Sequence, residues 1–244
     1  MNNNIGKMWH ECKYSRIYQL LRNVDALRSA VNFVKHIPLV LWEPLICRSN
    51  FSDRPFLRQK DPWRYETDPS ERQRFDAQTE LIDNVRGQIL FNCGVEIGCA
   101  EGLYTEILAA RCASLLVLDN SPIALSIAQR RRQWSSNIQF QKFDLRLEKI
   151  PGTFDLIVAT GVLEYFGRRR TLVRVRQNLV NALKSQGYLL IETTRSTMAA
   201  ENSWWAKYFM HGKWLNYFIS KDPSLCVVRE VLLDRYIITL FKKK

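Results

Sequence analysis

The stretch from Val95 to Gly102, Val-Glu-Ile-Gly-Cys-Ala-Glu-Gly, leaves few folds open to the chain that contains it. An apolar run ends in an acid and passes directly into a turn of small residues, the pattern of a buried strand delivering the backbone to a tight turn and a helix. The strand is expected over Gln88 to Glu96 and the helix over Leu103 to Arg111. The pattern then repeats. Ser114-Leu-Leu-Val-Leu ends in Asp119, and Ser121-Pro122 supplies an N-cap and a first-turn proline for a helix to about Trp134. Ile138 to Phe143 ends at Asp144, and Phe154 to Thr160 ends beside Gly161. Thr171 to Leu183 reads as helix, Gly187 to Thr193 as a fifth strand, and Leu225 to Val231 with Arg235 to Phe241 as two closing strands. Strands and helices alternating at this spacing specify an α/β protein with a doubly wound, mostly parallel seven-stranded sheet of Rossmann-like type.

In such a sheet ligands bind at the carboxyl ends of the strands. Glu96, Gly98, Ala100, Gly102, Asp119, Asn120, Asp144, Leu145 and Gly161 to Tyr165 all fall there. The dinucleotide fingerprint is not met, because Ala100 stands at its second glycine and Leu103 at its third. An acid just before the turn repels a pyrophosphate but suits a ligand that carries an ammonium group and no phosphate. S-adenosylmethionine is such a ligand. Asp119 is then placed to accept the ribose hydroxyls, and Asp144 to accept from the adenine amino group, with the Leu145 amide within reach of the ring.

The chain has 244 residues, 46% of them hydrophobic, enough for one domain with elaborations. We divide it into a helical N-terminal extension, 1–60, and a cofactor-binding domain, 61–244. The six cysteines are scattered with no Cys-x-x-Cys pair, and no signal peptide is apparent, so a cytoplasmic protein without a metal site is expected. The net charge of +12 admits a polyanionic partner such as nucleic acid, although its arginine and lysine runs fall at expected helix ends and at the terminus.

Tyr14 to Lys35 has the apolar period of one amphipathic helix, followed by an apolar segment, 37–46, interrupted by Pro38 and Pro44 and too short to span a bilayer. Residues 14–48 fit packing on the core or on a second subunit, or a peripheral contact with a membrane surface. Next, Asp61-Pro-Trp-Arg-Tyr-Glu precedes a helix to about Val85 that Ser70 can cap, with Glu71 in its first turn. Trp63 and Tyr65 could close over a pocket, and Arg72 or Arg74 could pair a ligand carboxylate; composition alone favours a surface turn over a buried tryptophan. Ala200 to Ser220 is expected to be a helix whose aromatics (Trp204, Trp205, Tyr208, Phe209, Trp214, Tyr217, Phe218) wall an acceptor pocket or fill the core.

At this point the residues resemble a known family. The motifs are similar to those of the class I S-adenosylmethionine-dependent methyltransferases, and most of all to the nodulation protein S (NodS-like) group. The resemblance runs from about Asp61 to Glu192. It rests on Asp61-Pro-Trp-Arg with Glu71, Arg72 and Arg74, on Val95-Glu-Ile-Gly-Cys-Ala-Glu-Gly-Leu-Tyr-Thr-Glu, on Arg131-Arg-Gln-Trp-Ser, and on Phe154-Asp-Leu-Ile-Val-Ala. It implies that Gly98, Ala100 and Gly102 approach the cofactor, that Asp119 holds its ribose, and that Asp144 faces the adenine. It also implies that Trp63 covers the site and that Arg74 takes the methionine carboxylate. Members of that group N-methylate a glucosamine at the end of a deacetylated chitin oligosaccharide, so a sugar acceptor is implied as well. Two departures touch the acceptor side. Gly161 stands where the family usually has an acid, and residues 1–60 and the C-terminal helix have no clear counterpart.

A sulfonium methyl group is already activated, so positioning and exclusion of water carry most of the chemistry, and a base is needed only for a hydroxyl or an ammonium acceptor. Glu164 with Tyr165 is the first choice; Tyr65, Glu66 and His211 are the other candidates. The competing readings are a nucleic-acid methyltransferase, suited by the charge but lacking the Asn or Asp followed by two prolines usual in base-amino methyltransferases, and a cofactor-binding partner subunit without chemistry of its own.

Overall fold

The computed structural model describes residues 53–58, 60–131, 136–166, 169–195 and 212–244. The chain divides into two units, Met1–Trp42 and Glu43–Lys244, and every described residue lies in the second. The expected helix over Tyr14 to Lys35 and the segment 14–48 lie outside the described residues.

A short helix, α1 (Arg54–Arg58), and a longer one, α2 (Pro69–Arg86), precede the sheet. Then come β1 (Phe91–Ile97), α3 (Leu103–Ala109), β2 (Cys112–Asp119), α4 (Pro122–Arg131), β3 (Ile138–Lys142) and β4 (Phe154–Thr160). A 3-10 turn (Leu163–Tyr165), α5 (Arg169–Ala182), β5 (Leu183–Thr194), α6 (Gly212–Ser220), β6 (Leu225–Leu232) and β7 (Tyr236–Lys243) complete the order. The strands lie in one seven-stranded sheet, β3-β2-β1-β4-β5-β7-β6. The first five are parallel; the two closing strands are present as expected, and β7 inserts antiparallel between β5 and β6.

Both faces of the sheet are covered, which is why its central strands are near-continuous apolar runs. One layer packs Phe75, Leu81 and Ile82 of α2, Leu108 of α3 and Leu125 of α4 against Val117, Leu156 and Leu190. The other packs Leu172 and Leu179 of α5 and Leu215 and Ile219 of α6 against Val95, Ile157 and Phe241.

Three local expectations change. Helix α2 is capped by Asp68, whose carboxylate accepts from the Ser70 amide at 3.0 Å; Pro69 occupies the first turn, and Ser70 is already inside the helix. Strand β5 begins at Leu183, directly after α5, because Leu183 pairs with Phe154 before an irregularity restores the register at Tyr188 and Leu156. Gln186 takes φ 64° at that point. Strand β1 starts at Phe91, with Ile89 and Leu90 exposed in the preceding turn.

Candidate functional site

The turn after β1 is held in a conformation most side chains avoid: φ is 82° at Gly98, 48° at Ala100 and 80° at Gly102. Two of these residues also sit where a side chain has no room. A Cβ on Gly98 would lie 2.4 Å from Val162 Cγ2, and one on Gly102 would lie 2.8 Å from Ala128 Cβ. Gly98 thus lets the end of β1 close on the end of β4. Gly102 lets α3 pack on α4.

Asp119, at the end of β2, ties this turn to the next strand. One carboxylate oxygen accepts from the Ala100 amide at 3.0 Å and the other from the Ser121 amide at 2.8 Å. Burial pushes the Asp119 carboxyl up to about 6, against the pull of these two amides and that of Asn120. Glu96 turns inward, buried, and accepts from the Thr105 hydroxyl at 2.5 Å. Asp144 is less free than expected. Arg146 holds it with Nε on Oδ1 at 2.9 Å and Nη2 on Oδ2 at 2.5 Å, so an adenine amino group would have to share that carboxylate, and Leu145 is buried in the core.

The stretch 53–66 is tied to the loops after β1 and β2 and to the end of α4 by three polar links. The Asp61 amide donates to Glu101 Oε1 at 3.2 Å, Ser121 Oγ donates to Asp53, and Arg131 pairs with Glu66. The Asp61 carboxylate accepts from the Tyr65 amide at 2.7 Å and the Glu66 amide at 3.1 Å, folding the loop back on itself. Trp63 rides on this loop, 38% exposed. Glu66 is therefore committed to Arg131 and is no free base. His211, with Trp204, Trp205, Tyr208 and Phe209, lies outside the described residues. Of the remaining aromatics, Trp214 stacks on Phe218 and Tyr217 is exposed.

Arg72 points outward, whereas Arg74 is 4% exposed and already holds two carboxylates of its own chain. Its Nη1 lies 2.7 Å from Glu192 Oε2 and its Nη2 2.8 Å from Glu71 Oε2. The rings of Tyr65, Phe75 and Tyr236 surround the guanidinium at 5.1, 4.7 and 5.2 Å, and the Tyr236 hydroxyl donates to Glu71. Tyr65 is consequently enclosed, and burial drives its hydroxyl far above the ordinary value, out of reach as a base. Glu164, on the 3-10 turn, accepts from the Thr194 amide at 2.5 Å with Oε1, while Oε2 is buried without a hydrogen-bond partner. Burial raises its carboxyl, and partial desolvation together with the charges of Glu164 and Asp119 raises the hydroxyl of Tyr165, whose side chain remains 41% exposed.

Glu192 was not singled out from sequence. It ends the apolar run Leu189-Leu-Ile on β5, the same signature that marked Glu96 and Asp119, and that signal was available. It is fully buried, and burial pushes its carboxyl up to about 7 against the attraction of Arg74. Among the described residues no His, Cys, Asp and Glu side chains form a group able to hold a metal ion, and no helix is long and apolar enough to cross a membrane.

Residues 53–211 match the family described as "Nodulation protein S (NodS)". The nodulation protein S of Rhizobium tropici is 34% identical over 139 residues, which cover 57% of this chain and 57% of that protein. That of Sinorhizobium fredii is 33% identical over 55% of this chain and 61% of the other. The chain thus spans less than two thirds of the length of these relatives. The crystal structure of the N-methyltransferase NodS from Bradyrhizobium japonicum WM9 in complex with S-adenosyl-L-homocysteine superposes with a TM-score of 0.68 at 27% identity, covering 80% of this chain and 98% of that one.

Proposed function

The chain belongs to the nodulation protein S family, and from that membership we propose that it is an S-adenosylmethionine-dependent methyltransferase acting on an amine or hydroxyl of a small sugar-type acceptor. The observation that carries this reading is the closure of the glycine turn on Asp119, which aligns an acid at the end of β2 with backbone that a ligand can approach. The site also fits the ligand's charge. Its acids, Glu192 and Glu164, retain buried carboxylate oxygens without donors, as suits a cation and not a phosphate.

In this reading Asp119 holds the ribose, with the Asn120 backbone beside it, and the segment with Asp144 and Leu145 borders the adenine. Gly98 and Ala100 admit the ligand's chain, Glu96 steadies the turn through Thr105, Arg74 faces the methionine carboxylate, and Trp63 covers the site. When bound, the cofactor supplies a methyl group already activated on its sulfonium. The protein then has to align the acceptor and exclude water. An ammonium acceptor must lose a proton before its lone pair can attack; Glu164 Oε2 takes it, and Tyr165, kept protonated, donates a hydrogen bond that orients the acceptor. The free thiols Cys93, Cys99, Cys112 and Cys226 support a cytoplasmic setting.

The test is transfer of labelled methyl from S-adenosylmethionine with deacetylated chitin oligosaccharides and bulk RNA offered side by side. Label in the sugar is expected. Label in RNA would replace the acceptor, and label in neither, with S-adenosylhomocysteine still bound, would leave a cofactor-binding protein without this acceptor.

A further inference from the structure

At the amino end of the sheet, opposite to the cofactor turn, side chains of three different chemistries meet on three adjacent strands: Cys93 of β1, Asp155 of β4 and Lys184 of β5. Lys184 Nζ donates to Cys93 Sγ at 3.0 Å and to the two Asp155 oxygens at 3.1 and 3.2 Å. Cys93 Sγ also lies 3.3 Å from Asp155 Oδ2 and 3.4 Å from the Thr153 carbonyl. Strands β1 and β5 flank β4, so their backbones are about 10 Å apart, and a long side chain is needed to reach the sulfur. Hydrogen bonds to Cys93 and Asp155 hold Lys184 above the ordinary lysine range, so the group beside the thiol is an ammonium. The cluster is open to small solutes: the side chains of Lys184 and Asp155 are 37% and 26% exposed, and Cys93 is half-buried.

We propose that Cys93 and Lys184 form an oxidative modification site, at which hydrogen peroxide oxidises Cys93 and Lys184 then closes a sulfenamide, Sγ–Nζ, that staples β1 to β5. Cys93 in its thiolate form, the reactive one, attacks one peroxide oxygen. The S–O bond forms, the O–O bond breaks, and the leaving oxygen takes a proton from the Lys184 ammonium and departs as water. Sulfur loses two electrons and the peroxide gains them, which leaves Cys93 as a sulfenic acid and Lys184 as a neutral amine beside it. The lone pair of Nζ then attacks sulfur. The S–N bond forms, the S–O bond breaks, and the hydroxyl leaves as a second water with the proton that nitrogen gives up. Asp155 keeps Nζ against the sulfur through both steps.

A sulfenic acid ends in a disulfide where a second thiol is in reach, and no described cysteine is placed to supply one here. A Cβ on Gly94 would lie 2.5 Å from Cys112 Sγ, which puts that sulfur on the face of β1 opposite Cys93, since neighbouring residues of a strand point to opposite faces. Cys99 is buried in the glycine turn at the far end of β1. Cys226 is on β6, four strands from β1 and about 19 Å away, whereas a disulfide needs Cα atoms within about 7 Å. The nitrogen of Lys184 is the nucleophile in contact with the sulfur. A bond between them joins positions 91 apart in the chain, and a cross-link of that span restricts the unfolded state.

The experiment treats the full chain with hydrogen peroxide and maps its peptides by mass spectrometry. Wild type is expected to yield the Cys93 and Lys184 peptides joined, two hydrogens lighter than their sum, and separated again by dithiothreitol. A joined pair that retains an oxygen overturns the direct S–N bond, and Cys93 recovered as a free thiol or in a disulfide overturns the site. Lys184→Met is expected to give no joined pair and to hold Cys93 as a sulfenic acid that dimedone traps; trapping to the same extent in wild type overturns the part given to the amine. A second measurement reads the staple in the folded protein. The urea midpoint of peroxide-treated wild type should rise and return with dithiothreitol, with no rise in Cys93→Ser. An unmoved or lowered midpoint in wild type, or an equal rise in Cys93→Ser, overturns the proposal.

Discussion

The two ends of the same parallel sheet treat charge in opposite ways. At the amino end, Asp155 on β4 accepts from the Cys93 amide at 2.9 Å and from Lys184 Nζ at 3.1 and 3.2 Å, while Lys184 also lies 3.0 Å from Cys93 Sγ. Burial works to raise the Asp155 carboxyl, but the amide and the ammonium outweigh it and hold it below the ordinary carboxylate range. Each group there is partly exposed and satisfied by its neighbours. At the carboxyl end, Asp119, Glu164 and Glu192 are all raised by burial, and two of them keep an oxygen without a donor. A charge completed within the chain serves the fold. A charge enclosed and left incomplete raises the free energy of the ligand-free protein, a cost that makes sense where a ligand removes it.

The comparison can be broken most sharply at Arg74. Replacing it with Met strands Glu71 and Glu192 in the interior, and the expected loss is about 3–5 kcal/mol, read as a lower urea midpoint. Adding Glu192→Gln to that variant should recover part of the loss, since the second change removes a charge the first left unpaired. Next in size is Asp119→Ala, expected to weaken S-adenosylhomocysteine by about 100-fold through two lost hydrogen bonds to a charged acceptor; an unchanged calorimetric affinity would sink the assignment of the ribose end.

The two ends should also differ in the sign of their pH dependence. Glu192 is raised from 4.5 to about 7, so the stability it contributes is complete below about pH 4.5 and is lost as pH rises through 7. Asp155 is lowered from 3.8, so its contribution is present above that value and is lost as pH falls through its depressed pKa. Urea unfolding between pH 3 and 8 should therefore show the advantage of wild type over Glu192→Gln shrinking with rising pH, and its advantage over Asp155→Asn shrinking with falling pH. The smallest effect is expected at Lys184→Met, under about 1 kcal/mol because the pair is solvent-screened, with no change in S-adenosylhomocysteine affinity. A large loss of affinity there would erase the distinction between the two ends.

Much of this was legible in the residues themselves. Apolar runs placed β1, β2 and β4 to within a few residues, the first two ending in the acids Glu96 and Asp119, and the Ser121 cap was realised, its hydroxyl accepting from the Ala124 amide at 3.1 Å. The cap of α2 was misread by two positions because Asp68 and Ser70 carry the same local chemistry and only Pro69 separates them. The buried stripe Glu71, Arg74, Gln78 on α2 was not seen, since charged residues at helical spacing look like a solvated face until something covers them.

What the sequence determined by itself is the order of elements, the parallel core and the acids at the strand ends, because period and turn chemistry are local properties of neighbouring residues. What only the tertiary structure decided is which of those charges are spent. Arg74 meets Glu192 across 118 positions and Tyr236 meets Glu71 across 165. Such pairings, and the burial that shifts their proton affinities, depend on how α2, β5 and β7 pack together, and no local pattern in the chain encodes that contact.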